Sequence, residues 1–370
     1  MPTAILTFQE SSNNGALLQA YALQTVVGKI TGERCDIINY HSAHKAIFYQ
    51  NANKKELLIY LNRKLSSKIN DVIQKKANAF KNRYLNITKT VYNSASEMKE
   101  LNTIYSKFIC GSDQVWNPAN TGADEVFFLN FVKDDSKIIS YAPSIALEKL
   151  PEDLEEKYKK NISRFRHLSI REKSGWSIIK ELLDREAEIV LDPVFLLNTQ
   201  EWDMVAKEID IEVPYICIYH ISYRPQMIKF ARKLRKKTSL RVVMVIQTIR
   251  DLFVCIANGF TAAIVSPEEF VGVISNAEYV ITNSFHGTAF SICYNKNMFV
   301  FGNKGKMKSA NSRITDLLST MGLEKRFVSD DQFNDLESVI NNAIKDNLQT
   351  SLSLEEKRNE SYKYLHTALE

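Results

Sequence analysis

The chain has 370 residues, 45% of them apolar and 25% charged, which excludes disordered, collagenous and coiled-coil compositions and predicts two domains. No run approaches the roughly 18 to 20 apolar residues of a membrane span. The first eight residues lack the charged start and apolar middle of a secretory signal, so the sequence reads as cytoplasmic. The net charge of +5 is small but uneven. Residues 54–90 carry ten Lys or Arg against Glu56 and Asp71, a local +8, and the remainder sits near −3.

In chain order, residues 3–8 read as a short buried strand, followed by a polar turn and a helix over 16–29. A second strand at 35–40 follows Gly32. The basic segment then reads as helical, with Leu57, Leu61, Leu65 and Ile69 at spacing four. Strands at 108–110, 137–141, 168–171 and 189–191 alternate with helices near 151–163 and 175–184. This βα alternation predicts a doubly wound parallel sheet. Asp192 and Pro193 open a polar stretch that leads into a second half, with strands at 215–220, 241–246, 262–265, 279–281 and 298–301. The tail from Ser353 pairs Ser353 with Glu356 in a capping-box pattern and reads as a closing helix. The expected division is 1–195 (including the basic region 54–90), 196–352 and a C-terminal helix 353–370: α/β, with two Rossmann-like domains facing a cleft. The five cysteines (35, 110, 217, 255 and 293) show no CxxC spacing and read as buried free thiols.

Candidate chemistry falls where strands end. In residues 277–295, an apolar strand runs into Asn283 and Ser284, and a helix begins beside His286, Gly287 and Thr288. Helix-start N–H groups suit a phosphate or carboxylate; the same residues also serve as an ordinary capped helix start. After the first strand, Asn13, Asn14 and Gly15 can wrap a phosphate or sugar, with Gln19 one turn further, or they form a polar N-cap. The loop GSDQVWNP (111–118) joins Asp113, Gln114, Trp116 and Asn117. Amides and a carboxylate hold sugar hydroxyls, an aromatic face covers the ring, and Asp113 is placed to act as a general base. The alternative is a turn with Trp116 packed inward.

Arg171 follows the strand at 168–171 and either grips an anion or pairs with Glu172 or Asp192 as scaffold. Beyond the histidine motif, Lys304, Lys306, Lys308 and Arg313 lie in a glycine-containing loop suited to a lid over an anion. Arg313, at a helix start, is the residue singled out there. His41 and His220 follow strands but read as structural. No HExxH or acidic cluster points to a metal, and neither GxGxxG nor GxxxxGK[ST] is present. The basic residues lack an aromatic stacking set, which argues against nucleic acid.

Taken in order, NNGALLQAYAL, GSDQVWNP, SYAPS, SIREKSG, LDPVFLL, ITNSFHGT and NSRI resemble the polysaccharide pyruvyl transferase family over residues 13 to about 326. The resemblance implies a fold similar to the two-domain GT-B glycosyltransferases. It also implies transfer of a pyruvyl group from phosphoenolpyruvate, a co-substrate with no other cofactor, to a sugar of a cell-surface polysaccharide or its precursor as a cyclic ketal. On that reading His286 is the general acid and Asp113 the base. Arg171, Asn283, Ser284, Gly287, Thr288 and Arg313 hold the donor. Asn13, Asn14, Gly15, Gln19, Gln114, Trp116 and Asn117 hold a nucleotide- or lipid-linked saccharide acceptor. SYAPSIA (140–146) departs from the pattern by ending at Ala146 where a glycine is expected. The basic stretch 54–90 reads either as a solvated helix or as a peripheral contact with anionic lipid at the inner membrane face. A nucleotide-sugar glycosyltransferase and a catalytically silent carbohydrate-binding relative are the competing readings.

Overall fold

Strands covered by helices on both faces are apolar along their whole length, and the chain supplies such runs twice. The computed structural model describes residues 2–44, 57–212, 214–304, 311–329, 332, 337–340 and 351–370, with the backbone alone for 57–65 and 351–352. Thr3–Leu6 (β1), Cys35–Tyr40 (β2), Ile87–Tyr92 (β3), Lys107–Cys110 (β4) and Ile138–Ser140 (β5) form one sheet in the order β3-β2-β1-β4-β5, every pairing parallel. Ser169–Ile170 (β6) and Glu188–Ile189 (β7) make a separate short parallel pair. Tyr215–Tyr219 (β8), Arg241–Val245 (β9), Thr261–Ala263 (β10), Tyr279–Thr282 (β11), Asn297–Phe301 (β12) and Phe327–Val328 (β13) form a six-stranded parallel sheet ordered β10-β9-β8-β11-β12-β13.

Helices carry the crossovers. Asn14–Thr31 (α1) starts at Asn13, whose Oδ1 accepts from the Ala16 N–H at 3.2 Å, and stops at Gly32, which adopts φ 64°. Leu57–Tyr84 (α2) is the helix of the basic segment, and it buries Ile69, Ala77 and Phe80 while Lys68 and Lys75 stay exposed. Glu152–Ile162 (α3) and Lys173–Leu183 (α4) complete the first half. Pro225–Thr238 (α5), Ile249–Asn258 (α6), Pro267–Ser275 (α7), Phe285–Cys293 (α8) and Asn311–Thr320 (α9) serve the second sheet, and Ser351–Leu369 (α10) follows.

Two compact units result. The first comprises Met1–Lys54, Lys81–Leu197 and Glu355–Glu370, and the second Lys55–Phe80 and Asn198–Leu354. Most of α2 therefore groups with the second unit, where Lys76 and Lys207 both pair with Glu269 of α7, the latter at 3.1 Å. The end of α10 packs on the first unit. Ser361 Oγ accepts from the Leu191 N–H at 2.9 Å, the Tyr364 hydroxyl donates to the Ser140 carbonyl at 2.9 Å, and Leu365 and Ala368 are buried.

Strands β3 and β13 were absent from the expected set. ITKTVY is mostly half-buried or exposed because β3 is an edge strand, so its polar residues gave no apolar run to detect. The cysteines at 35, 110, 217, 255 and 293 are all free and buried. Ala146, where a glycine is expected, adopts φ 54°, and its N–H donates to Glu172 Oε1 at 3.0 Å. An L-residue pays about 1 to 2 kcal/mol in that region. Ala146→Gly is expected to leave stability unchanged or raise it by up to about 1 kcal/mol, whereas Ala146→Val, with a branched Cβ, lowers it. Urea unfolding of the two variants checks both signs.

Candidate functional site

In a doubly wound sheet, ligands bind beyond the carboxyl ends of the strands where the order reverses. Those positions are β1 and β4 in the first unit and β8 and β11 in the second. The polar motifs lie on the loops that follow these four strands.

In the first unit, the loop after β4 places Asp113 at φ 75°, a region seldom used by non-glycine residues. Two contacts hold it there: the Ser144 N–H donates to the Asp113 carbonyl at 2.8 Å, and Asp113 Oδ1 accepts from the Gln114 N–H at 2.9 Å. Behind it, Arg171 is 2% exposed at its side chain and lies 2.6 Å from Asp192 Oδ2, 3.9 Å from Asp113 Oδ1 and 4.0 Å from Glu172 Oε2. Burial by itself would lower the Arg171 pKa, but Asp192, Asp113 and Glu172 outweigh it and the pKa rises. With three carboxylates around one guanidinium, the charge of Arg171 is already balanced. The expectation that Arg171 grips a donor anion is corrected accordingly: it is the scaffold partner of Asp192 and Glu172.

The acceptor candidates are mostly structural. Trp116 is fully buried, stacks on Phe128 at 5.3 Å, and donates from Nε1 to the Phe127 carbonyl at 3.2 Å. It therefore offers no face to a sugar, a second correction, and its physical reason is the large apolar area of an indole at a core position. Asn117 caps the short helix Pro118–Thr121 through the Ala119 N–H, and its Nδ2 donates to Gln114 Oε1 at 2.6 Å. Gln19 is fully buried and donates to Thr7 Oγ1 and the Ala16 carbonyl, both at 2.9 Å. Gly15 is buried, Asn14 is half-buried and Asn13 is the exposed cap.

In the second unit, Asn283 is fully buried. Its Oδ1 accepts from the Ile221 N–H at 2.9 Å, its Nδ2 donates to the Ser222 carbonyl at 2.8 Å, and its carbonyl accepts from Asn303 Nδ2 at 3.0 Å. This one amide ties the loops after β8, β11 and β12 together. Ser284 caps α8 by accepting from the Gly287 N–H at 3.3 Å, and Thr288 Oγ1 donates to the Ser284 carbonyl at 2.9 Å. A Cβ on Gly287 would lie 2.4 Å from Thr282 Oγ1 and 2.9 Å from the Tyr219 ring, so this glycine is required by packing. The expectation that the side chains of Asn283, Ser284 and Thr288 and the backbone at Gly287 contact a donor thus gives way to a supporting role. His286 and Arg313 are brought together. The His286 ring lies edge-on to Phe285 at 5.3 Å, and the Arg313 guanidinium sits 5.9 Å from the centre of the same ring. Both are buried, at 7% and 4% exposure. Of the lysines in the adjacent loop, Lys304 is exposed, and Lys306 and Lys308 lie outside the described residues.

A feature that the sequence reading set aside is His220, directly after β8, with Nε2 at 3.1 Å from Asp251 Oδ1. Asp251 Oδ2 also accepts from the Gln247 and Thr248 N–H groups at 3.0 and 2.9 Å. Thr248 and Asp251 at spacing three were a legible capping box, but the histidine that meets them lies 31 residues away in sequence. Arg224, buried beside it in sequence, donates to the Gly302 carbonyl. Among the described residues, no three His, Cys, Asp or Glu side chains gather as a metal site.

The profile of the family described as Polysaccharide pyruvyl transferase matches residues 13–305. The chain belongs to that family of transferases. The match begins at the cap of α1 and runs past the α8 motif, so the loops after β4, β8 and β11 fall inside it. No curated protein sequence matches the chain. Among solved structures, it is similar to the UDP-GlcNAc 2-epimerase of Methanocaldococcus jannaschii at 10% identity and TM-score 0.54, covering 95% of this chain and 93% of that one. It is also similar to the UDP-GlcNAc 2-epimerase of Neisseria meningitidis at 7% identity and TM-score 0.50, covering 98% and 93%. These likenesses show the fold, which is of the GT-B type.

Two outcomes test these placements. Trp116→Ala is expected to cost about 3 to 5 kcal/mol of stability, as for a core aromatic, when measured by denaturant unfolding. Burial tends to raise the Asp251 pKa, but His220 and the backbone donors outweigh it and hold it below the ordinary value of 3.8. A depressed carboxylate stabilises above its unfolded pKa, and that contribution is lost as pH falls through the folded value. Asp251→Asn should therefore be less stable than the parent at pH 7 and converge with it below the ordinary carboxylate range.

Proposed function

We propose that this protein transfers a pyruvyl group from phosphoenolpyruvate to a saccharide on a nucleotide or lipid carrier, forming a cyclic ketal. The observation that supports this reading most is family membership over residues 13–305, which holds His286 beside Phe285 in the second unit and Asp113 at the switch point of the first; Arg313, just beyond the match, lies over the same Phe285 ring. The donor is a small dianion-plus-carboxylate, and the buried Arg313, with His286 in the first turn of α8, is the chemistry that would recognise it.

The reaction balances without an external oxidant or reductant. A protonated His286 delivers its proton to the methylene carbon of phosphoenolpyruvate and leaves an oxocarbenium-like centre. One sugar hydroxyl adds to that carbon and gives its proton to a carboxylate base. A second hydroxyl adds, phosphate departs with the remaining proton, and the ring of the ketal closes. Two hydroxyl O–H bonds, the phosphate ester C–O bond and the second bond of the C=C pair break. One C–H bond, two C–O bonds and one O–H bond on phosphate form.

No described helix is long and apolar enough to cross a membrane. The exposed Lys68 and Lys75 of α2 support a peripheral approach to anionic lipid as part of the same proposal. Flotation with anionic vesicles but not with neutral ones is the outcome that supports it, and equal recovery removes it.

Thermal protection by phosphoenolpyruvate without protection by nucleotide sugars is the expected result, and the opposite pattern favours a nucleotide-sugar glycosyltransferase. Incubation with phosphoenolpyruvate and carrier-linked saccharides should release phosphate, and mass spectrometry of the acceptor should show a gain equal to pyruvic acid less one water. His286→Gln is expected to reduce turnover by about 100-fold or more with little loss of stability. Full activity in that folded variant would take the acid role away from His286.

A further inference from the structure

Within the first unit, α10 and the β6–β7 pair enclose a cavity of about 560 Å³, a size that suits a small-molecule ligand. Because β6 and β7 run parallel, Arg166 and His167, just before β6, and Arg185, before β7, stand at the same end of the pair. Arg171 follows the other end of β6, and neither it nor Asp113 lines the cavity. This space is therefore separate from the motif loops.

Its charges are not balanced from within. Arg166 and Arg185 line it from the strand side and Lys363 from α10. Among the described residues these three form no ion pair. Arg185 Nη2 donates to the Arg166 carbonyl at 2.6 Å, which fixes the guanidinium without neutralising it. Of the three carboxylates in the wall, Glu186 lies 4.0 Å from Lys180 and Glu360 2.8 Å from Lys357, and neither lysine lines the cavity. Glu188, the third, pairs with no cation among the described residues. Three unpaired cations thus share the space with one unpaired carboxylate. His167 senses the same field: burial, Lys107, Arg166 and Arg185 all push its pKa below the ordinary value of 6.5.

We propose that the cavity binds a phosphorylated small molecule carrying at least two negative charges, and that the bound anion fastens α10 to the starts of β6 and β7. Guanidinium forks meet phosphate oxygens in pairs, and a lysine adds a point charge from the opposite wall. Lys363 is well placed for this, since it lies between Ser361 and Tyr364, the residues whose hydrogen bonds already hold α10 against Leu191 and Ser140.

The test uses the full chain and inorganic pyrophosphate as the probe, with sodium chloride at equal ionic strength as the control. Calorimetric titration should show saturable binding. Arg166→Gln and Lys363→Gln should each weaken it roughly three- to tenfold and still fold, since both side chains are exposed. Glu188→Gln should tighten it, a sign that a merely structural effect does not produce. Amide hydrogen exchange over residues 185–190 and 360–367 should slow when pyrophosphate is bound. Unchanged affinity in either Arg166→Gln or Lys363→Gln overturns the proposal, because the probe then sits elsewhere, for example against Arg313. An effect that sodium chloride reproduces overturns it too. Saturable binding that leaves exchange in α10 unchanged removes the fastening role. Protection by anionic vesicles but not by pyrophosphate overturns the small-molecule assignment.

Discussion

A parallel sheet leaves its carboxyl edge unfinished. Each strand there must turn into a loop whose N–H and C=O groups have lost their ladder partners, and burial forces side chains to replace them. In this protein Asn283 answers that requirement for the loops after β8, β11 and β12, and Glu172 answers it for residues 144–146. Everything at the two switch points hangs from these closures. The glycine at 287 belongs to the same constraint, because α8 approaches the β11 end closely enough that a methyl group would overlap Thr282.

That constraint explains why polar motifs are poor guides to contact with a ligand. Asn283, Ser284, Thr288, Asn117 and Gln19 all have chemistry suited to sugars or phosphate, and all use it on the protein's own backbone or neighbours. Their regularity in sequence reflects the geometry of a loop. Of the residues singled out from the sequence, His286, Arg313 and Asp113 are among those that carry charge or a titratable proton near the strand ends.

The two units handle charge differently. The first buries one guanidinium within 4.0 Å of three carboxylates, of which Asp113 is the most exposed, at 14%. The second gathers buried Arg224 and Arg313 with His220 and His286 at the loops after β8, β11 and β12, with Asp251 set against His220.

The alternation of apolar runs with helical stretches determined the class of fold by itself, because a strand buried on both faces has no choice but to be apolar. Ten of the eleven strands expected from such runs shared their core residues with the observed ones; the run at 189–191 overlapped β7 at Ile189 alone. The short motifs likewise sufficed for the family. Local pattern does not reveal which residue pairs with which across the fold. Arg171 meets Asp192 21 positions away, and His220 meets Asp251 31 positions away. Trp116 faces inward because β4, the segment around Phe128 and Tyr158 of α3 close over it. Those outcomes depend on packing between elements distant in the chain, where a side chain's burial and charge partners are set together, and only the tertiary structure decided them.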